Sequence, residues 1–185
     1  MTRSPDRILD EFLVLHAQAG ERAAFEQLAA RWTPRLIRHA ARLLGATDEA
    51  RDAVQDAWAG IARGLRTLDD PARFPAWAYA IATRKCADAI RAKAKGRRIA
   101  QSAAHDAALN GASIAPASEA EAGLDLSRAI ARLPADQRLV VSLHYGEDLP
   151  LDEIAAITGA PEGTIKSRLH AARQTLKRIM EGETP

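Results

Sequence analysis

The chain has 185 residues, 47% of them hydrophobic, with a formal net charge of +2, which is enough for one ordinary domain or two small helical ones. Its single cysteine, Cys86, excludes an internal disulfide, and no Cys/His grouping has the paired spacing of a zinc site. Asp10 and Glu11 interrupt the first apolar run and no later run reaches ~20 apolar residues, so neither a secretion signal nor a membrane span is expected and the setting is read as a reducing cytoplasm.

Apolar residues recur at helical spacing almost throughout, and no run sustains an alternation of period two. The expected fold is therefore all-α, as two small helical domains joined by a flexible linker. The first stripe is Phe25, Leu28, Trp32, Leu36, Ala40 and Leu43, with Pro34 expected to kink or break it. The second is Ala53, Val54, Ala57, Trp58, Ile61, Ala62 and Leu65, which leaves Asp52, Gln55, Asp56 and Arg63 on the outside. Asp52 and Asp56 stand four residues apart, where like charges repel by ~0.2–0.5 kcal/mol, and alone they read as a solvated face partly neutralised by Arg51.

After the turn-rich TLDDPARFP, a third helix is expected from about Pro75 to Arg98, with Pro75 in its first turn. Residues 84–98 hold seven cations (Arg84, Lys85, Arg91, Lys93, Lys95, Arg97, Arg98) against Asp88, a local charge of +6. Such a density near aromatic rings suits a nucleic-acid strand, whose phosphates meet the cations and whose unstacked bases meet the rings. Aromatics in a small helical domain more often fill the core. Trp77 is assigned to the core, and Tyr79 stays between the two readings.

Residues 99–123, dominated by Ala, Ser, Gly and Asn, read as the linker, with a transient helix around Ser102 to Leu109. Four short helices follow: Leu126 to Leu133 before Pro134, Asp136 to Tyr145 before Gly146, Leu151 to Thr158 before Gly159, and PEGTIKSRLHAARQTLKRIM from 161 to 180. In the last of these Ile165, Leu169, Ala172, Leu176 and Ile179 are spaced 4, 3, 4, 3 and must face a core. The opposite face carries Lys166, Ser167, His170, Gln174, Lys177 and Arg178, with Arg168 and Arg173 flanking it. Any surface helix needs such a face. Ala155, Gly159 and Ile165, however, fall where a helix-turn-helix requires a small packing residue, a residue tolerant of positive φ and an apolar anchor. The second helix of that motif enters the DNA major groove, with Lys and Arg on flanking phosphates and with Thr164, Ser167 and His170 able to reach base edges or backbone. GAPEGTIKS is not a phosphate-binding loop, because Thr164 and Ile165 separate its Gly from its Lys and no strand precedes it. The five His, at 16, 39, 105, 144 and 170, show no ligand-like pairing, and no nucleophile and base converge, so neither a cofactor nor an enzymatic activity is expected.

The run LPADQRLVVSLHYGEDLPLDEIAAITGAPEGTIKSRLHAARQTL resembles region 4, the DNA-binding region, of bacterial sigma factors of the extracytoplasmic-function group. DEARDAVQDAWAGIARGL resembles their region 2.2, which docks on the clamp helices of the polymerase β′ subunit, and FPAWAYAIATRKCADAIRAKAKGRR resembles regions 2.3 and 2.4, which recognise and open the minus-10 element. The resemblance covers residues 12–98 and 124–180, and the larger acidic N-terminal region and region 3 of housekeeping sigmas have no counterpart. It implies core RNA polymerase (β′ clamp helices and β subunit) and promoter DNA as partners, with Asp52, Gln55 and Asp56 on polymerase, the third-helix cations near minus 10, and Thr164, Lys166, Ser167, Arg168, His170, Arg173 and Lys177 near minus 35. It also implies an anti-sigma factor that occludes the polymerase-binding surfaces.

Two departures stand out: Arg84 where the family usually has Asn, and Ala171 where it commonly has Arg. Two DNA elements about two turns apart are separated by about 70 Å, and a linker of about 25 residues spans at most ~80 Å but relaxes to ~28 Å. The free chain is therefore expected to be compact or heterogeneous and to extend on polymerase. The alternatives are a helix-turn-helix regulator that works without polymerase, which gives the Asp52/Gln55/Asp56 face and the basic helix no task, and a sigma-like decoy that occupies an anti-sigma factor.

Overall fold

The computed structural model of the chain describes residues 5–103, 126 and 128–181, with side chains of 97–103 outside that description. Among the described residues all regular structure is helical, and no helix is long and apolar enough to cross a membrane.

Four helices form the N-terminal part: α1 (Pro5–Gln18), α2 (Arg22–Leu44), α3 (Thr47–Gly64) and α4 (Phe74–Ala103). The short length and mixed polarity of α1 hide it from the periodicity argument. It is held by Leu13 and Val14, both buried, and by Asp10, whose buried carboxylate accepts from Arg31 Nε at 3.0 Å. The stripe of α2 buries Leu28, Trp32, Leu36, Ala40 and Leu43 as its spacing requires. Pro34 does not break it. Proline removes one N–H and crowds one turn, but buried Trp32 and Leu36 on either side hold the helix in register, and it continues to Leu44. Gly45, at φ 76°, then stops it, its N–H closing on Ala41 O at 2.8 Å.

Helix α3 buries Ala50, Ala53, Val54, Ala57 and Ile61 against α2 and α4, its alanines letting the helices approach closely while Val54 and Ile61 fill the core. Two 3₁₀ turns, Leu65–Thr67 and Pro71–Arg73, lead into α4, where Phe74 is wholly buried and meets Trp32 edge-on at 5.2 Å between ring centroids. Helix α4 stays helical to Ala103, so residues 99–103, expected in the linker, belong to it; the rest of the expected linker lies outside the described residues.

In the C-terminal part residues 128–131 are helical, followed by α5 (Ala135–Val141), whose chain continues in a wider π-helical turn over Ser142–Gly146. Next come α6 (Leu151–Thr158) and α7 (Glu162–Met180), as the sequence leads one to expect. Ile154, Ile165, Leu169 and Ala172 bury between α5, α6 and α7. This core is continuous with that of the N-terminal helices, because α6 packs on α4 and the π-helical turn packs on α2.

Candidate nucleic-acid and polymerase interfaces

The C-terminal surface is set by one turn. Gly159 adopts φ 68° and ψ 15°, a left-handed conformation that costs glycine nothing sterically, and its N–H donates to Ala155 O at 2.9 Å to close α6. Pro161 cannot continue that helix but starts the next, its carbonyl accepting from Thr164 and Ile165. The turn drives Ile165 into the core with no exposure, while Ala155, half-buried, packs against it. The opposite face of α7 is therefore forced outward.

Lys166, His170, Arg173 and Lys177 recur at spacings of 4, 3 and 4, one stripe about 100° round the helix from the apolar one, and all four are exposed. Ser167 is exposed and its hydroxyl donates to Thr164 O at 2.9 Å, so toward a ligand it is an acceptor. Arg173 Nε donates to the Tyr145 hydroxyl at 2.8 Å, which props its guanidinium beside an exposed ring. Thr164 is half-buried, Arg168 turns away to pair with Asp136 at 2.7 Å, and Lys177 reaches Glu181 at 3.8 Å.

On α3, Asp52, Gln55 and Asp56 are exposed and side by side, with no hydrogen bond or ion pair among the described residues. The cations of α4 do not form a single face. Arg84, Arg91 and Lys95, at spacings of 7 and 4, share one exposed stripe, on which Arg91 pairs with Asp88. Lys85 and Lys93 turn instead toward the acidic side of α3, where Lys93 Nζ meets Glu49 at 2.6 Å and a shallow hollow is lined by Asp52, Asp56, Lys85 and Lys93. Arg97 and Arg98 lie outside the residues whose side chains are described.

Tyr79 corrects the expectation of an available stacking ring. It is 2% exposed, packed edge-on against Trp32 and His39, and its hydroxyl donates to Glu147 of the segment between the π-helical turn and α6. The reason is its register: Tyr79 lies on the side of α4 that faces α2, between buried Ala78 and Ala82, away from the stripe of Arg84. Burial first, then the hydrogen bond and charge of Glu147, push its phenol far above the ordinary range, so it stays a donor. Trp77 packs half-buried beside Gly64, consistent with its assignment to the core.

Glu147 is the residue that sequence reasoning misses. Its carboxylate, 4% exposed, also accepts from Arg42 of α2 at 2.6 Å. Beside it His39 is fully buried, with Nε2 2.9 Å from Thr83 Oγ1 and Nδ1 3.3 Å from Ser142 Oγ. Desolvation, with the nearby Arg42 charge second, pushes the imidazole down to about 3, so it is neutral. Arg7 and Glu153 add a pair at 3.0 Å across the same seam. A signal for His39 exists, since it falls three residues after Leu36 and four before Leu43, inside an apolar stripe where a histidine needs a partner. No local signal exists for Glu147, whose partners lie 105 and 68 residues away.

Two family models match the chain: Sigma-70 region 2 over residues 28–96 and Sigma-70, region 4 over residues 123–176. The ECF RNA polymerase sigma factor SigM of Mycobacterium tuberculosis is 32% identical over 171 residues, covering 92% of this chain and 83% of that protein. SigW of Bacillus subtilis, another ECF RNA polymerase sigma factor, is 29% identical over 174 residues, covering 89% of this chain and 93% of the relative. Among solved structures, the sigma factor RpoE of Bartonella quintana, crystallised with the anti-sigma factor NepR, superposes with a TM-score of 0.68 at 26% identity, over 86% of this chain and 98% of that one. With both regions in the family order and with relatives matched along nearly their whole length, the chain belongs to the extracytoplasmic-function RNA polymerase sigma factors.

Proposed function

We propose that this sigma factor divides its work between a polymerase-binding and minus-10 domain at residues 12–98 and a minus-35 domain at 124–180, joined through 99–123. Asp52, Gln55 and Asp56 are the contacts to the β′ clamp helices of core polymerase. Arg84, Arg91 and Lys95 hold the DNA strand near minus 10, with Lys85, Lys93, Arg97 and Arg98 adding charge around them. On α7, Lys166, Ser167, His170 and Arg173 meet base edges and backbone in the major groove, Lys177 neutralises a phosphate further along, and Thr164 and Arg168 orient the entry of the helix. The related sigma factor of Bartonella quintana is held by an anti-sigma factor, which supports a partner of that kind here.

The observation that carries this reading over a polymerase-independent regulator is the exposed α3 face, where two carboxylates and an amide stand without partners among the described residues, on a helix separate from the basic stripe of α7. A regulator that binds only DNA has no use for it. Run-off transcription with core polymerase on genomic fragments tests the reading. The wild-type chain is expected to direct discrete starts, and Asp52→Lys with Asp56→Lys to abolish them while duplex binding by α7 persists. Equal transcription by the charge-reversed chain would favour the polymerase-independent alternative. Failure of the wild type on every template would leave the decoy.

A further inference from the structure

Arg42 and Tyr79, from two different helices of the N-terminal part, converge on a single carboxylate, that of Glu147. Around them the N-terminal part supplies more positive charge than it uses. Arg31 consumes Asp6 and Asp10, each at 3.0 Å, whereas Arg35 and Arg38, one turn apart on α2, have no ion pair among the described residues. Arg35 sits over the Trp32 ring at 5.1 Å, and both arginines lower the cost of negative charge at the Tyr79 hydroxyl. Arg35, Arg38, Tyr79 and Glu147 line one open, polar hollow of about 410 Å³, together with Arg7, Asp148 and the two carboxylates that Arg31 holds, Asp6 and Asp10; Arg42 reaches Glu147 from outside that lining. A guanidinium and a phenol donating to one anion, with two further guanidinium groups alongside, is the donor set that holds a phosphodiester.

We propose that Arg42 and Tyr79, flanked by Arg35 and Arg38, form a phosphate cradle for the DNA backbone, and that Glu147 occupies it as an internal stand-in for the phosphate while the C-terminal part is docked. The proposal rests on the chain acting as a sigma factor and adds to it a binding site and the means of closing it. Glu147 lies on the segment leading into α6, so seating it carries the whole helix-turn-helix onto α2 and α4. Lifting that unit returns the carboxylate to water and uncovers the cradle in the same movement. Asp148, exposed at the rim, leaves with it. Gly146 provides a second handle, because a Cβ there would overlap the Arg42 guanidinium and, that group being the free end of a flexible side chain, would push it off the Glu147 carboxylate and weaken docking.

The test uses the full chain without polymerase and a fluorescein-labelled single-stranded oligodeoxynucleotide, read by anisotropy across a salt series, with circular dichroism to confirm folding. Glu147→Gln and Gly146→Ala are each expected to bind about tenfold more tightly than wild type, with the salt slope steeper by about 0.7 for each phosphate gained. Arg42→Ala placed on Glu147→Gln is expected to return affinity and slope to the wild-type values. Unchanged binding in both single variants overturns the cradle, as does a double variant that stays tight. If Glu147→Gln fails to fold, Gly146→Ala and its own Arg42→Ala combination carry the same decision. Run-off transcription by the wild type is measured in parallel. A chain that transcribes but shows no change in oligonucleotide binding loses only the cradle, whereas a chain that never transcribes loses the sigma reading and leaves the binding result to stand by itself.

Discussion

His39 illustrates how a single side chain ties stability to pH. Its folded value of about 3 lies below the ordinary 6.5, so between these limits the unfolded chain takes up a proton that the native chain refuses. The stability associated with neutral His39 is complete above about pH 6.5 and is lost as the pH falls toward 3. Melting temperatures measured from pH 7 to pH 4 should fall for the wild type and fall less steeply for His39→Gln, which cannot titrate. Parallel curves would show that the imidazole does not report burial. Cys86 behaves in the opposite sense: it is 1% exposed and its thiol is pushed up to about 11 by burial, so it should resist maleimide under native conditions and react only on unfolding. Rapid native labelling would contradict that burial.

At the scale of elements, the sequence was most legible where one turn controls a helix. Gly159, Pro161 and Ile165 specify the end of α6, the start of α7 and its inward face from a span of seven residues, and the structure follows that reading. Gly159→Ala puts a Cβ on a backbone at φ 68° and is expected to cost about 1 kcal/mol, measured by denaturant unfolding, and to weaken duplex binding without touching DNA itself. A neutral result would mean that the turn tolerates a right-handed alternative. Legibility failed where the deciding contact is remote. Pro34 argues locally for a break in α2, but Trp32 and Leu36 pack from either side and override it; α1 lacks a clean stripe because Asp10 faces inward to reach Arg31. The basic run of α4 was legible as charge but not as geometry, since helical rotation sends Arg84, Arg91 and Lys95 to solvent and turns Lys85 and Lys93 toward acids on α3.

For the whole molecule, the docked arrangement is a balance. Apolar surface of α6 covers Ala76, Trp77 and Ala80 of α4, leaving a groove rimmed by Arg7, Arg73, Asp152 and Glu153, while the ionic contacts set the register of docking. Buried ion pairs contribute little net stability because desolvation offsets most of their attraction, whereas the geometry they impose is specific. Such a seam orders the parts without locking them. With Cys86 unreactive, dyes placed on Ala23→Cys of α2 and Gln174→Cys of α7 should report one separation in the free chain and a longer one on adding core polymerase. An unchanged transfer efficiency would mean that polymerase accepts the docked form.

The π-helical turn over Ser142–Gly146 adds a consequence of its own. Such a turn accommodates one residue more than an α-helix would over the same rise, and each residue rotates the chain by about 100°. Shortening the segment by one amino acid, at exposed Tyr145 for instance, would let α5 run on as an ordinary α-helical turn and swing Glu147 round to the wrong side, with the loss of the Tyr145 prop under Arg173 as its one effect on α7. On the proposal that Glu147 closes the cradle, a one-codon deletion here would open it without altering Arg42 or Tyr79.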